Sequence, residues 1–125
     1  VRTITFSSIT THTAPIFCKL GILSVYNVNK LQAACFMYQA MHGILPKHFC
    51  DMFITNCLIH SHNTRQCNKV HITGHRLNTK RFTIKIFGPY LWNSLPNTLT
   101  LAPNLVTFKR LCRQYLSKAD IPLTN

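Results

Sequence analysis

Acidic residues are almost missing from this chain. Its 125 residues include two, Asp51 and Asp120, against 14 Lys plus Arg, for a formal net charge of +12. Two carboxylates so far apart cannot supply, for this chain acting alone, the three or more acidic ligands of a two-metal phosphoryl-transfer centre. Paired-carboxylate glycoside hydrolysis is excluded on the same ground. Glycine is scarce too: four residues, spread along the chain, form no Gly-rich loop of the kind that cradles phosphates. There is no Gly-x-Ser-x-Gly elbow for a nucleophilic serine. No apolar run approaches the ~20 residues of a membrane-spanning helix, and the longest uncharged helical stretch, residues 31–46, carries Gln32, Gln39, His42 and Gly43. The sequence opens without a charged leader and apolar block, so no secretory signal is expected. Neither membrane nor export is indicated, and an intracellular setting, nucleus or cytoplasm, is expected. The first residue is Val1 rather than Met, which reads as a fragment of a longer chain.

What is present suits one folded domain. A hydrophobic share of 46%, with eight Phe, four Tyr and one Trp, is enough for a core. Six cysteines (Cys18, Cys35, Cys50, Cys57, Cys67 and Cys112) are scattered rather than paired, and two fall within apolar helical patterns. Free core thiols are expected, not a disulfide framework.

Prolines and periodicity divide the chain. Ala14-Pro15 opens a short helix over Ile16, Phe17 and Leu20, stopped by Gly21. Asn27 or Asn29 is placed to cap a second helix through Leu31, Cys35, Tyr38 and Met41, ended by Gly43. Pro46 starts a third, carrying Phe49, Met52 and Phe53. Residues 55–80 are rich in Asn, His, Thr, Arg and Lys, and read as a long basic loop with one short strand around Val70 and Ile72. Arg81 to Phe87 alternates, with Phe82, Ile84 and Ile86 on one side and Thr83 and Lys85 on the other. The alternation predicts a half-buried strand pairing with 69–73 as a hairpin and broken by Gly88-Pro89. Tyr90, Leu91, Trp92 and Leu95 then form a short aromatic helix up to Pro96, with Trp92 as a core plug. The clearest element spans 104–118. Asn104 is its N-cap, Leu105, Phe108, Leu111, Cys112, Tyr115 and Leu116 form one face, and Lys109, Arg110, Arg113 and Gln114 the other. The expected fold is therefore mainly α (α+β): a small helical domain over 1–125 with one short β-hairpin and a long basic loop.

Three constellations bear on chemistry. Cys57, His60, His62, Cys67, His71 and His75 would be enough ligands for zinc, but Cys57-x-x-His60 is the nearest approach to a paired knuckle. Solvated histidines are the expected reading, with no metal and no cofactor. Nucleophilic catalysis has no support either, since no Cys–His pair is singled out and almost no acid is available to orient an imidazole. The third constellation is a strip of cations, Arg65, Lys69, Arg76, Lys80, Arg81 and Lys85, in a segment without acids between Asp51 and Asp120. A solvated loop is its plain alternative. The +12 balance favours contact with phosphates, and the interleaved Phe82, Phe87 and Tyr90 could stack bases.

Seven short segments, in order, carry a family resemblance. They are His12-Thr-Ala-Pro-Ile-Phe17, Leu20-Gly-Ile-Leu23, Phe36-Met-Tyr-Gln-Ala40, Leu45-Pro46, His60-Ser-His-Asn-Thr-Arg65, Gly88-Pro-Tyr-Leu-Trp-Asn-Ser-Leu-Pro96, and Phe108-Lys-Arg-Leu111 running on to Tyr115-Leu116. In this order and spacing the chain resembles the extreme C-terminal region of reverse transcriptases of non-LTR (LINE-type, jockey-like) retrotransposons. The resemblance implies a parent with an endonuclease and an RNA-directed DNA polymerase, whose Tyr-x-Asp-Asp box lies upstream of the matched region. No catalytic residue carries over. It implies a non-catalytic tail whose partners are template RNA or target DNA and the upstream reverse transcriptase domain. A structural tail packed on the polymerase thumb and an inert pseudogene product are the alternatives, with a small zinc-dependent nucleic-acid module behind them.

Overall fold

A computed structural model describes residues 1–59, 64–74 and 76–119. The chain is mainly helical. The described helices are α1 (Thr13–Leu20), α2 (Val25–Met41), α3 (Lys47–Cys50), α4 (Asn56–Ile59), α5 (Ile84–Ser94), α6 (Asn97–Thr100) and α7 (Leu105–Ala119), with a 3-10 turn over Asn78–Phe82.

Helix α2 is the centre. α5 and α7 both pack along it, so it is buried on more than one side: Leu31, Ala34, Met37 and Tyr38 all lie inside. Its N-cap is Ser24, whose hydroxyl accepts from the Asn27 backbone N–H at 3.3 Å. This corrects the expectation that Asn27 or Asn29 caps the helix. Asn27 is instead buried within the first turn and donates from its amide to the Leu116 carbonyl at 3.3 Å, tying α2 to the far end of α7. Gly43, with φ of 67°, supplies the left-handed step that turns the chain out of α2.

Helix α7 follows its sequence pattern. Asn104 Oδ1 accepts from the Thr107 N–H at 2.8 Å. Phe108, Cys112 and Leu116, four residues apart, are buried against α2, while Lys109, Arg110 and Arg113 face solvent. The Tyr38 ring stacks on Phe108 with centroids 4.6 Å apart, and Trp92 completes the cluster at 6.4 Å from Tyr38 and 5.9 Å from Phe108. The Tyr38 hydroxyl donates to the Ala102 carbonyl at 2.8 Å, so the buried phenol is satisfied.

The expected hairpin is not formed. Residues 78–82 make a 3-10 turn and 84–94 a helix, and among the described residues the only extended pairing is a single antiparallel bridge between Thr55 and Val70. Ile86, Pro89 and Trp92 recur every three residues, a helical face that the period-two run Phe82, Ile84, Ile86 conceals. Gly88-Pro89, expected to break the chain, lies inside α5. Pro89 forgoes one hydrogen bond to the Lys85 carbonyl near the helix start. Gly88 is needed for packing: a Cβ there would stand 2.6 Å from Met37 Sδ and 3.2 Å from Met37 Cγ. The gain from seating α5 on α2 outweighs the lost bond and the low helix propensity of glycine.

Trp92→Ala should cost about 3–5 kcal/mol by opening a cavity beside the stacked Tyr38 and Phe108. Urea unfolding followed by circular dichroism checks it, and an unchanged midpoint would mean that Trp92 does not fill the core.

Candidate nucleic-acid interface

All six basic residues marked in the sequence, Arg65, Lys69, Arg76, Lys80, Arg81 and Lys85, are exposed. They fall into separate groups.

Arg65 and Lys69 lie in a loop closed at its base. The Asn56 N–H donates to the Lys69 carbonyl at 2.9 Å, Cys57 to Cys67 at 3.0 Å and His71 to Ile54 at 2.7 Å. Thus 55–80 is not simply a long loop. It holds α4, a bridged base and, at its end, the start of the 3-10 turn. Val70 anchors the base in the core, and Asn93 on α5 fixes it there: its amide accepts from the Val70 N–H at 3.0 Å and donates to the Val70 carbonyl at 2.9 Å. An asparagine thus completes the pairing a neighbouring strand would otherwise provide. Arg65 lines a shallow groove of about 450 Å³ with Asn56, Thr64 and Gln66, with no aromatic wall among the described residues.

Lys80, Arg81 and Lys85 form the second group. The 3-10 turn carries the first two, and the Thr83 hydroxyl donates to the Lys80 carbonyl at 2.7 Å where the turn passes into α5. Since α5 buries Ile86, Pro89 and Trp92, it leaves Lys85 and Tyr90 outside and Phe87 half-buried. Two grooves open here. One of about 480 Å³ is lined by Asn78, Arg81, Ile86, Phe87 and Tyr90. The other, of about 340 Å³, is lined by Tyr26, Asn29, Arg81, Phe82 and Phe87. Arg81 and Phe87 belong to both and form their common wall. Tyr26 comes from the first turn of α2, and Lys30, one turn on, sets its Nζ 4.4 Å from the centre of the Tyr26 ring. Sequence reasoning found Arg81, Phe82, Phe87 and Tyr90 but missed Tyr26, Asn29 and Lys30, whose place beside them is tertiary. A Tyr–Lys pair at i, i+4 was the one local signal for a supported aromatic.

Arg76 lies between the two groups, in neither groove. Cations of α7 line other grooves, the first of which shares Asn29 with the smaller Arg81 groove. Lys109 borders a groove of about 630 Å³ with Cys35, Phe36 and Phe49, and Arg113 one of about 500 Å³ with Gln114 and Lys118.

The histidines and thiols do not assemble into a reactive centre among the described residues. His60, His62 and His75 lie outside them. Of the rest, Cys57 Sγ pairs with the Thr55 hydroxyl at 2.9 Å, Cys67 Sγ donates to Asn68 Oδ1 at 3.5 Å and His71 Nδ1 pairs with Asn56 Oδ1 at 3.2 Å. No group of three or more metal-ligating side chains is found among the described residues. All six cysteines are free, but only Cys112 is fully buried and Cys57 is exposed, so the expectation of core thiols holds for one of them in full. Burial, reinforced by the neighbouring Cys35, pushes the Cys112 thiol up to about 11. Burial also raises Cys35, against the lowering effect of the Lys109 ammonium. Both therefore stay protonated and poorly nucleophilic near neutral pH.

Two outcomes are expected. Asn93→Ala should destabilise the fold by about 2 kcal/mol and speed limited tryptic cleavage at Arg65 and Lys69, with the 55–71 base released; unchanged cleavage would argue against the clamp. The second concerns pH. Cys112 ionises at about 11 in the fold and at 9.0 in an ordinary thiol. Its protonated form thus favours the folded chain, and that stabilisation is complete below pH 9.0 and lost as pH rises to about 11. Unfolding midpoints across this range should fall more steeply for the native protein than for Cys112→Ala.

Comparison of the chain with protein-family models, with curated proteins and with solved structures found no match, so its functional reading rests on its own residues and surfaces.

Proposed function

We propose that this chain is a non-catalytic, C-terminal part of a retrotransposon RNA-directed DNA polymerase and that it contacts template RNA or target DNA through its basic surface. The observation that carries the nucleic-acid reading is the acid-free stretch between Asp51 and Asp120, whose marked cations are all exposed, with Arg81 lining two grooves beside aromatic side chains. With no carboxylate nearby in sequence, a phosphate chain is the natural counter-charge, and each phosphate neutralised releases condensed counterions. The resemblance of the seven segments to the retrotransposon family supplies the parent protein, and the carboxylate count keeps catalysis in that parent's upstream polymerase. Its setting is intracellular, in nucleus or cytoplasm.

A second reading, a structural tail packed on the polymerase, is favoured by a different observation. Phe6, Ile9, Val25, Leu101 and Val106 are all far more exposed than large apolar side chains usually are, Phe6 at 96%. Such surface marks a protein contact where it is contiguous. The two roles are compatible, since they use different residues.

The purified chain should bind RNA or DNA with log K falling against log salt at a slope of roughly −3 to −5, for about five phosphates. Fluorescence anisotropy over a salt series measures it. Binding that ignores salt, or none in dilute buffer, would leave the structural tail as the surviving reading.

A further inference from the structure

We infer that the paired grooves at Arg81 seat two consecutive unpaired nucleotides, making this a site for single-stranded nucleic acid rather than for duplex. The inference rests on the nucleic-acid reading above and narrows it.

The two grooves repeat one set of parts. Each has an aromatic lining, Tyr90 with Phe87 in one and Tyr26 with Phe82 and Phe87 in the other. Each has one carboxamide, Asn78 or Asn29, offering both a donor and an acceptor. The guanidinium belongs to their common wall. A dinucleotide has the matching order: two bases, each with a π-face and a hydrogen-bonding edge, joined through one phosphate. Base faces stack on aromatic rings whatever the base, and a planar guanidinium fits a phosphate with two parallel hydrogen bonds.

A duplex cannot use this arrangement. Its bases are stacked on one another and its phosphates form a convex rail, which cations on a convex surface meet well without aromatic walls. The Arg65 groove, polar and basic and with no ring among its described lining residues, offers charge without such walls. Phe82 is 85% exposed and Tyr90 55%, and exposed rings beside a cation are better accounted for by splayed bases than by a phosphate rail. Lys30 adds to this. Its ammonium covers one face of Tyr26, a lining ring of the smaller groove, and adds a positive charge beside it.

The test compares an oligodeoxythymidine of about a dozen nucleotides with a duplex of the same length, at one salt concentration, by fluorescence anisotropy on the full chain. The native protein should prefer the single strand by about tenfold or more. Phe82→Ala and Tyr90→Ala should each weaken single-strand binding by roughly five- to 100-fold, leaving duplex binding unchanged, and Phe82→Trp should restore it. Both side chains are exposed, so the thermal midpoint should stay near that of the native chain. Equal affinity for both probes, or alanine variants that bind the single strand as well as the native chain, would overturn the inference while leaving a basic nucleic-acid surface in place. Binding to neither probe would overturn both.

Discussion

Everything at the surface of this protein depends on how Met37 and Tyr38 sit at the middle of α2. Met37 is fully enclosed against Gly88 of α5, and Tyr38 stacks on Phe108 of α7 at 4.6 Å while its hydroxyl holds the Ala102 carbonyl at 2.8 Å. Two neighbouring residues thus fix two helices, because adjacent side chains on a helix point about 100° apart. The Gly88 contact sets how close α5 comes and the Trp92 ring sets its rotation. With Ile86, Pro89 and Trp92 turned inward, Lys85 and Tyr90 have no place but the outside, beside the 3-10 turn that bears Arg81. The candidate interface is the reverse face of the core.

The same dependence explains what could be read from the sequence. Helices α1 and α7 were legible because their signals are local: proline and glycine bound the first, and in α7 an asparagine cap precedes apolar residues at helical spacing, so propensity and pattern agree. Segment 81–87 was not. A run of seven residues with β-branched side chains fits a strand as well as half of a short helix, and Gly88-Pro89 reads as a stop when only local propensity is weighed. What reverses the reading is Met37, which lies far off in sequence and whose Sδ would stand 2.6 Å from a Cβ at 88. The α2 cap shows the smaller version of the same problem. Asn27 is one of the two expected caps, but its burial against the Leu116 carbonyl makes it a packing residue, and Ser24 caps instead.

The candidate site divides along similar lines. Its cations and three of its rings share one stretch of chain and could be marked from composition alone. Tyr26, Asn29 and Lys30 belong to another helix, and Asn93, the residue that holds the other basic loop in place, gives its side chain to the Val70 backbone rather than to any motif. No periodicity announces a side chain that mimics a strand.

Charge and apolar exposure together account for how such a surface would work. A +12 chain repels itself, and its cations act at a distance over several ångströms of solution, which raises the rate at which a polyanion arrives but does not decide how it settles. Settling requires short-range contacts. Of the marked cations, Arg65 lines a groove with no ring among the described residues and Arg76 lines neither Arg81 groove, whereas Arg81 stands between two concave surfaces lined with aromatics. On α7, Lys109 borders a single groove with Phe36 and Phe49. The scattered cations therefore gather and orient the ligand, and Arg81 with its flanking rings is where its form, stacked or splayed, makes a difference in energy. Steering falls away with salt, while stacking is largely indifferent to it. A chain that used only its charge would lose selectivity and affinity together as salt rises; one that also uses these grooves keeps its preference for the single strand after most of the affinity has gone.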